Sequence, residues 1–575
     1  MLSQTLLLGR WTQPVQDGLR SLADHRLLAR LWEQDASLWS ADPATQSSIR
    51  QRLGWLTIPQ VMAGQISLLR QVTSALRAEG LTHAVVLGMG GSGLFPEVCR
   101  NTFGVAPNHL DLAVLDSTDP TAIRSCQARG PLERLLVIVS SKSGSTSEIS
   151  ALSKYFYDTL KGIRGGPGGH CVAITDQGSP LETQARAWNF RHIMAHGPQT
   201  GADVGGRFSA MTYFGLLPAL LLGIDAECLL ARACEMLARC GPRAPITDNP
   251  AAQLGAVLGT LVATGRDKLT LLCPQTLTSF GTWVEQLVAE STGKMGKGVV
   301  PICGEPLREP SAYGPDRMFV ELQLRSEPDA TLERHVRALA EAGQPVVRVQ
   351  WEDRYDLGGE VIKWELATTI AGSLMGINPF DEPNVQESKD RTKALLSQYT
   401  RDRRFASDTP LWADDDLALY GTSLRAVRSL AQVLAEWLEG GRSSDYLAIL
   451  SFLPRTASLD AVVQAIRMRL STRVGSATMV GVGPRYLHST GQLYKGGADA
   501  GRFLLLTADE RADIPIPDEP FTFGVLKQAQ ALGDFQAMQS RGRRILRVHL
   551  CGAVEQAAHQ LLNTIDTALT SVARH

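Results

Sequence analysis

Short unbroken apolar runs, each followed by a segment of helical spacing, organise the chain from His83 onward. They predict strands at residues 84–87, 112–115, 135–139, 171–174 and 191–194. Runs that are apolar on both faces and separated by helices imply a parallel sheet covered on both sides. Helices are expected at about 209–222, 227–239 and 250–264, after which the alternation resumes. Its second round reads as strand 269–273, helix 282–291, strand 318–324, helix 331–342, strand 346–350 and further helices ending near Tyr399. The last third repeats the theme, with strands at 446–452, 478–481, 503–506 and 545–550. Residues 1–80 lack this rhythm and read as helices. Trp32, Trp39, Leu53 and Trp55 are spaced there to pack on a larger body, and no polar constellation suggests chemistry.

The expected architecture is α/β: an N-terminal helical arm (1–80), two αβα units with parallel sheets (81–240 and 241–399) and a C-terminal α/β region (400–575). The polar stretch 400–410 reads as the linker into the last region. Two short echoes hint at a degenerate third unit: Tyr486 to Leu493 echoes Phe280 to Leu287, and Glu519-Pro520-Phe521 echoes Asn378-Pro379-Phe380. Independent origin explains such short matches equally well. The longest apolar stretch, 214–222, is too short to cross a bilayer and contains Pro218, so it reads as a buried helix.

Composition narrows the function classes. The 575 residues are 44% hydrophobic and 20% charged, as in a globular protein with several cores. Lysine and arginine (57) balance aspartate and glutamate (58), so no global field favours nucleic acid or an anionic membrane, and any anion site must be local. The nine cysteines are scattered without a C-x-x-C pair, which fits reduced thiols better than a disulfide frame or a zinc site. The N-terminus lacks a basic start followed by a full apolar core, so a cytoplasmic location is expected.

The richest chemistry follows the strand at 135–139, in Ser140-Ser141-Lys142-Ser143-Gly144-Ser145-Thr146-Ser147-Glu148. Short hydroxyls, backbone N–H groups at a helix N-terminus and one ammonium converge there as a phosphate cradle. The stretch lacks the pattern of a nucleoside-triphosphate loop, which favours a small phosphorylated metabolite; a plain Ser/Thr-rich helix cap is the alternative. Upstream, Gly88-Met89-Gly90-Gly91-Ser92-Gly93 satisfies the letter of a dinucleotide fingerprint, with Asp116 placed to take a ribose. A nicotinamide enzyme therefore stays open, as does a single sugar phosphate held by both loops. Arg207, in Gly205-Gly206-Arg207-Phe208-Ser209, supplies a fixed planar cation beside glycines that allow close approach. Gln286 and Glu290 share a helix face one turn apart, near the helix end at Gly293. Lys389 stands one to two turns into a helix that follows Asn378-Pro379-Phe380-Asp381.

Taken in order, these segments resemble the phosphoglucose isomerase family over about residues 80–400. The arm and the last third look similar to the isomerase part of proteins fused to transaldolase, and no transaldolase segment is visible. The resemblance implies two sugar-isomerase (SIS) domains, a homodimer whose site is completed by the second subunit, and interconversion of glucose 6-phosphate and fructose 6-phosphate without metal or other cofactor. By the same resemblance Ser141, Lys142, Ser143 and Thr146 hold the substrate phosphate, and Gly91, Ser92 and Gln286 line the site. Glu290 matches the base that moves a proton between C1 and C2 through an enediol. Arg207 matches the cation that steadies the enediolate, and Lys389 the lysine that helps the ring open. A functional link to transaldolase completes the set of implied partners.

Two departures stand out. The stretch after Pro301-Ile302-Cys303-Gly304-Glu305-Pro306, where the family usually carries a ring-opening histidine, has none. His488, in His488-Ser489-Thr490-Gly491-Gln492-Leu493, has the look of that motif displaced, and is the candidate to act within or across subunits. Glu382 stands where many members have glutamine, and would repel a dianion unless Lys142 or another cation screens it. A dual phosphoglucose/phosphomannose isomerase and a non-catalytic sugar-phosphate sensor remain as alternatives.

Overall fold

A computed structural model describes residues 3–197, 200, 203–406, 409–422 and 429–571. Three sheets organise these residues. In the first, five parallel strands lie in the spatial order Asp111–Leu115, His83–Leu87, Leu135–Ser140, Cys171–Asp176 and His192–His196. The first strand in sequence, His83–Leu87, is interior. The second lies to one side of it and the third to the other, so the strand order reverses between His83–Leu87 and Leu135–Ser140. Loops at the carboxyl ends of two such strands diverge and leave a crevice, the common ligand position in open parallel sheets.

The second sheet has the order Val300–Cys303, Lys268–Leu272, Arg317–Leu324, Val346–Trp351 and Ser3–Leu7. Its last strand runs antiparallel and comes from the chain's opening residues. The N-terminal arm is thus helical as its spacing predicts, with one added strand, Ser3–Leu7, whose pairing with Val346–Trp351 is too remote in sequence for local patterning to reveal. The third sheet runs Ala477–Val482, Tyr446–Ser451, Gly501–Ala508, Arg544–Leu550, Leu417–Gly421 and Trp412–Ala413, the last two each antiparallel to the strand before it. In all three sheets the first crossover strand is flanked by the second and third, and the fourth follows the third.

The apolar runs explain the layers. Val85, Leu87, Val137 and Val139 face one side of the first sheet, where Ile149, Leu152 and Phe156 cover them together with Ile514, Ile516, Phe523 and Leu526 from the last third. A further core joins Val300 and Ile302 of the second sheet to Ala448, Ala477 and Met479 of the third. The stretch 214–222 is a buried helix, Tyr213–Leu221. No helix among the described residues is long and apolar enough to cross a membrane. The polar stretch 400–410 begins inside the helix Val385–Asp402 rather than as a free linker, and its residues 407–408 lie outside the described residues.

Candidate active site

The crevice where the strand order of the first sheet reverses is a cavity of about 320 Å³. The eleven residues expected at a sugar-phosphate site all line it: Gly91, Ser92, Ser141, Lys142, Ser143, Thr146, Arg207, Gln286, Glu290, Lys389 and His488. They arrive from separate elements. The helix Gly91–Phe103 begins at the cavity, and Gly90 ahead of it has a φ of +54°. A side chain at Gly90 would also meet Gln286 Nε2 and the His488 carbonyl, and one at Gly91 would overlap the Gly206 carbonyl, so both positions need glycine. Thr146 is the N-cap of the helix Ser147–Thr159, yet its hydroxyl makes no capping bond. Gly144 N–H donates to Ser141 Oγ at 3.1 Å and Ser145 N–H to Ser143 Oγ at 3.3 Å, which folds the loop around its own hydroxyls. Lys142 is held by Asp176 and Asp203. Burial disfavours its charge, but these two carboxylates more than offset that and raise its pKa above the ordinary lysine value.

The opposite wall is a chain of charges. Glu290 lies on the helix Thr278–Thr292, with its Oε1 3.5 Å from Arg207 Nη1. Arg207 is 3% exposed and donates to Ser291 Oγ (2.8 Å) and to the carbonyls of Pro379 (2.7 Å) and Asp381 (3.1 Å). Its closest carboxylate is Glu382, at 3.0 Å, which Arg52 approaches at 3.3 Å from the other side. Burial would raise the Glu382 carboxyl, but Arg207 and Arg52 hold it below its usual range. For Glu290 burial dominates; Arg207 pulls its pKa down, Glu382 pushes it up, and the net direction is upward. A cation shared between two carboxylates stabilises each less than a dedicated one would.

Gln286 Nε2 donates to Glu290 Oε2 at 3.1 Å and to the His488 carbonyl at 2.9 Å, tying the helix of Glu290 to the last third of the chain. His488 ends the short turn Arg485–His488, and its Nε2 lies 2.8 Å from Glu148 Oε1, which also accepts from Gln530 Nε2 at 2.7 Å. Lys389 lines the cavity from the helix Val385–Asp402.

Two expectations change, and a third is made specific. The cations that screen Glu382 are Arg207 and Arg52, while Lys142 is occupied by Asp176 and Asp203. The N-terminal arm, read as free of chemistry, delivers Arg52 to the cavity; a single arginine in a helical segment carries no local signal of this. Asp116, placed by spacing for a ribose, is buried and bonded to Arg485 Nε at 2.5 Å, so its carboxylate is spent within the fold. Glu148 was also beyond reach of sequence reasoning, since its partner lies 340 residues away.

Comparison with known proteins follows the same outline. The model of the phosphoglucose isomerase family matches residues 66–300. A glucose-6-phosphate isomerase of a Synechococcus strain is 31% identical over 366 residues, covering 56% of this chain and 67% of its own. The chain belongs to the phosphoglucose isomerase family. A second member, a glucose-6-phosphate isomerase of Geobacter sulfurreducens, is 28% identical over 422 residues, 65% of this chain and 76% of its own. The crystal structure of a glucose-6-phosphate isomerase from Chlamydia trachomatis shares the fold, with a TM-score of 0.56 and 18% identity over 69% of this chain and 89% of its own. As in that fold, this member has parallel sheets in αβα layers.

Proposed function

We propose that this phosphoglucose isomerase family member interconverts glucose 6-phosphate and fructose 6-phosphate at the crevice of the first sheet. The observation that carries the reading is the juxtaposition of Glu290 and Arg207, 3.5 Å apart, across the cavity floor from the hydroxyl-lined loop at Ser141 to Thr146. Loop hydroxyls, N–H groups at the start of the helix Ser147–Thr159 and Lys142 suit a phosphate dianion. The dianion displaces Asp176 and Asp203 from Lys142 as it binds.

The reaction needs a base for a weakly acidic proton next to a carbonyl, and a cation for the oxygen that gains charge. Glu290 is 12% exposed and its proton affinity is raised, which brings a carboxylate towards the range in which a general base works best near neutral pH. It takes the proton from C2 of the open-chain aldose and returns it to C1, passing through the enediol. A guanidinium is a planar, fixed cation, and that of Arg207 is pinned by Ser291 and two carbonyls, so it steadies the enediolate without reorganising. Ring opening requires an acid and a base at the ring oxygen and the anomeric hydroxyl. His488, oriented by Glu148, and Lys389 stand on the cavity wall for those tasks.

The test is a coupled assay of fructose 6-phosphate conversion by the purified chain, beside mannose 6-phosphate. Glucose 6-phosphate formation from fructose 6-phosphate alone supports the reading. Turnover of both sugars points to the dual isomerase. Binding without turnover points to a sensor.

A further inference from the structure

The third sheet repeats the strand order of the second and meets it edge to edge through equivalent elements. In the second sheet the edge strand Val300–Cys303 is the second crossover strand of its unit; in the third sheet Ala477–Val482 holds the same place. These two strands lie against each other. Arg467 Nη1 donates to the Gly304 carbonyl at 2.8 Å and its Nη2 to those of Cys303 (2.8 Å) and Thr478 (2.6 Å). Glu305 Oε1 accepts from the Thr478 N–H at 2.9 Å. Val300 and Ile302 share an apolar core with Ala477 and Met479. Contact between like elements of two like units is the geometry of an isologous two-fold interface, here formed within one chain.

The loops that follow these two strands differ in chemistry. The segment after Val300–Cys303 has no histidine before the next strand, Arg317–Leu324. The equivalent segment after Ala477–Val482 holds His488, whose side chain reaches the cavity on the first sheet. Arg485 in the same turn pairs with Glu97 at 2.8 Å and Asp116 at 2.5 Å, and Lys527 pairs with Asp119 at 2.7 Å, so the third unit is anchored on the first by ion pairs, the last of them buried.

We infer that the third α/β unit is a built-in counterpart of a partner subunit: it occupies, within the same chain, the place from which a second copy would complete the cavity, and it supplies His488 there in cis. This rests on the isomerase reading above. A single chain is then a complete catalytic unit, and any association between chains is independent of the site.

Subunit complementation tests it. Glu290→Gln and His488→Ala chains carrying different tags are co-expressed and purified together, and their isomerase activity is compared with wild type. A cis site predicts no recovery above the mean of the two variants. A site shared between two-fold related chains restores one site in each mixed dimer, about a quarter of wild-type activity in a random mixture; recovery of that size overturns the inference. So does wild-type-like conversion of cyclic sugar by His488→Ala alone. An inactive wild-type chain would count against the isomerase reading instead. Native mass spectrometry with fructose 6-phosphate, at a dilution where single chains are present, then decides the present one, since sugar phosphate retained on single chains supports it and single chains that stay empty beside loaded dimers overturn it.

Discussion

His488 Nε2 and Glu148 Oε1 lie 2.8 Å apart although 340 residues separate them in sequence. The bond joins the last third of the chain to the helix that starts at the phosphate-type loop, so the site closes only when both are folded. Burial opposes the charge on Glu148, but His488 overrides it and lowers the carboxyl to about 2. Because that value is below the ordinary 4.5, the pair's contribution to stability is present above pH 4.5 and is lost as pH falls towards about 2. Glu148→Gln is therefore expected to lower the melting temperature near neutral pH, with the difference from wild type shrinking across that acid window. Thermal scans from pH 2 to 7 check this, and a difference that does not change with pH would remove the ion pair as its cause.

Glu290→Gln keeps the shape of the cavity and removes the proposed base. Turnover should fall by on the order of 10²–10⁴-fold or more, while fructose 6-phosphate still raises the melting temperature. Unchanged turnover would exclude Glu290 as the proton carrier.

Glu382 competes with Glu290 for Arg207, at 3.0 against 3.5 Å. Its negative charge favours the protonated form of Glu290, whose ionised form is the proposed base. Glu382→Gln removes that charge and releases Arg207, so the acid limb of kcat/KM should move to lower pH by about one unit. A pH–rate profile measures the shift, and movement to higher pH would contradict the geometry.

In the proposed site, Lys142 meets the substrate phosphate only after leaving Asp176 and Asp203. Asp203→Asn removes one competing carboxylate and one negative charge beside the dianion. KM for fructose 6-phosphate should drop several-fold, an effect worth about 1 kcal/mol for a partly exposed charge, with kcat little changed. A raised KM would show that Asp203 positions Lys142 rather than competing for it.

His488→Ala should slow conversion of the cyclic sugar more than proton exchange on an open-chain analogue. The difference arises because only the first route passes through ring opening. Equal losses in the two assays would place His488 outside that step.

The layered α/β architecture and most of the site were legible in the chain itself. Continuous apolar runs such as Val137-Ile138-Val139 can only be buried on both faces, and Ser141 to Thr146, Gly90-Gly91-Ser92 and Glu290 carry their chemistry in local order. What local order cannot hold is pairing across distance. The strand Ser3–Leu7, the arrival of Arg52 beside Glu382, the capture of Asp116 by Arg485 and the reach of Glu148 to His488 each join segments far apart in sequence. Such contacts are selected by the packing of the three sheets, which brings their loops to one crevice; burial there then decides which charges meet and which stay available for a substrate.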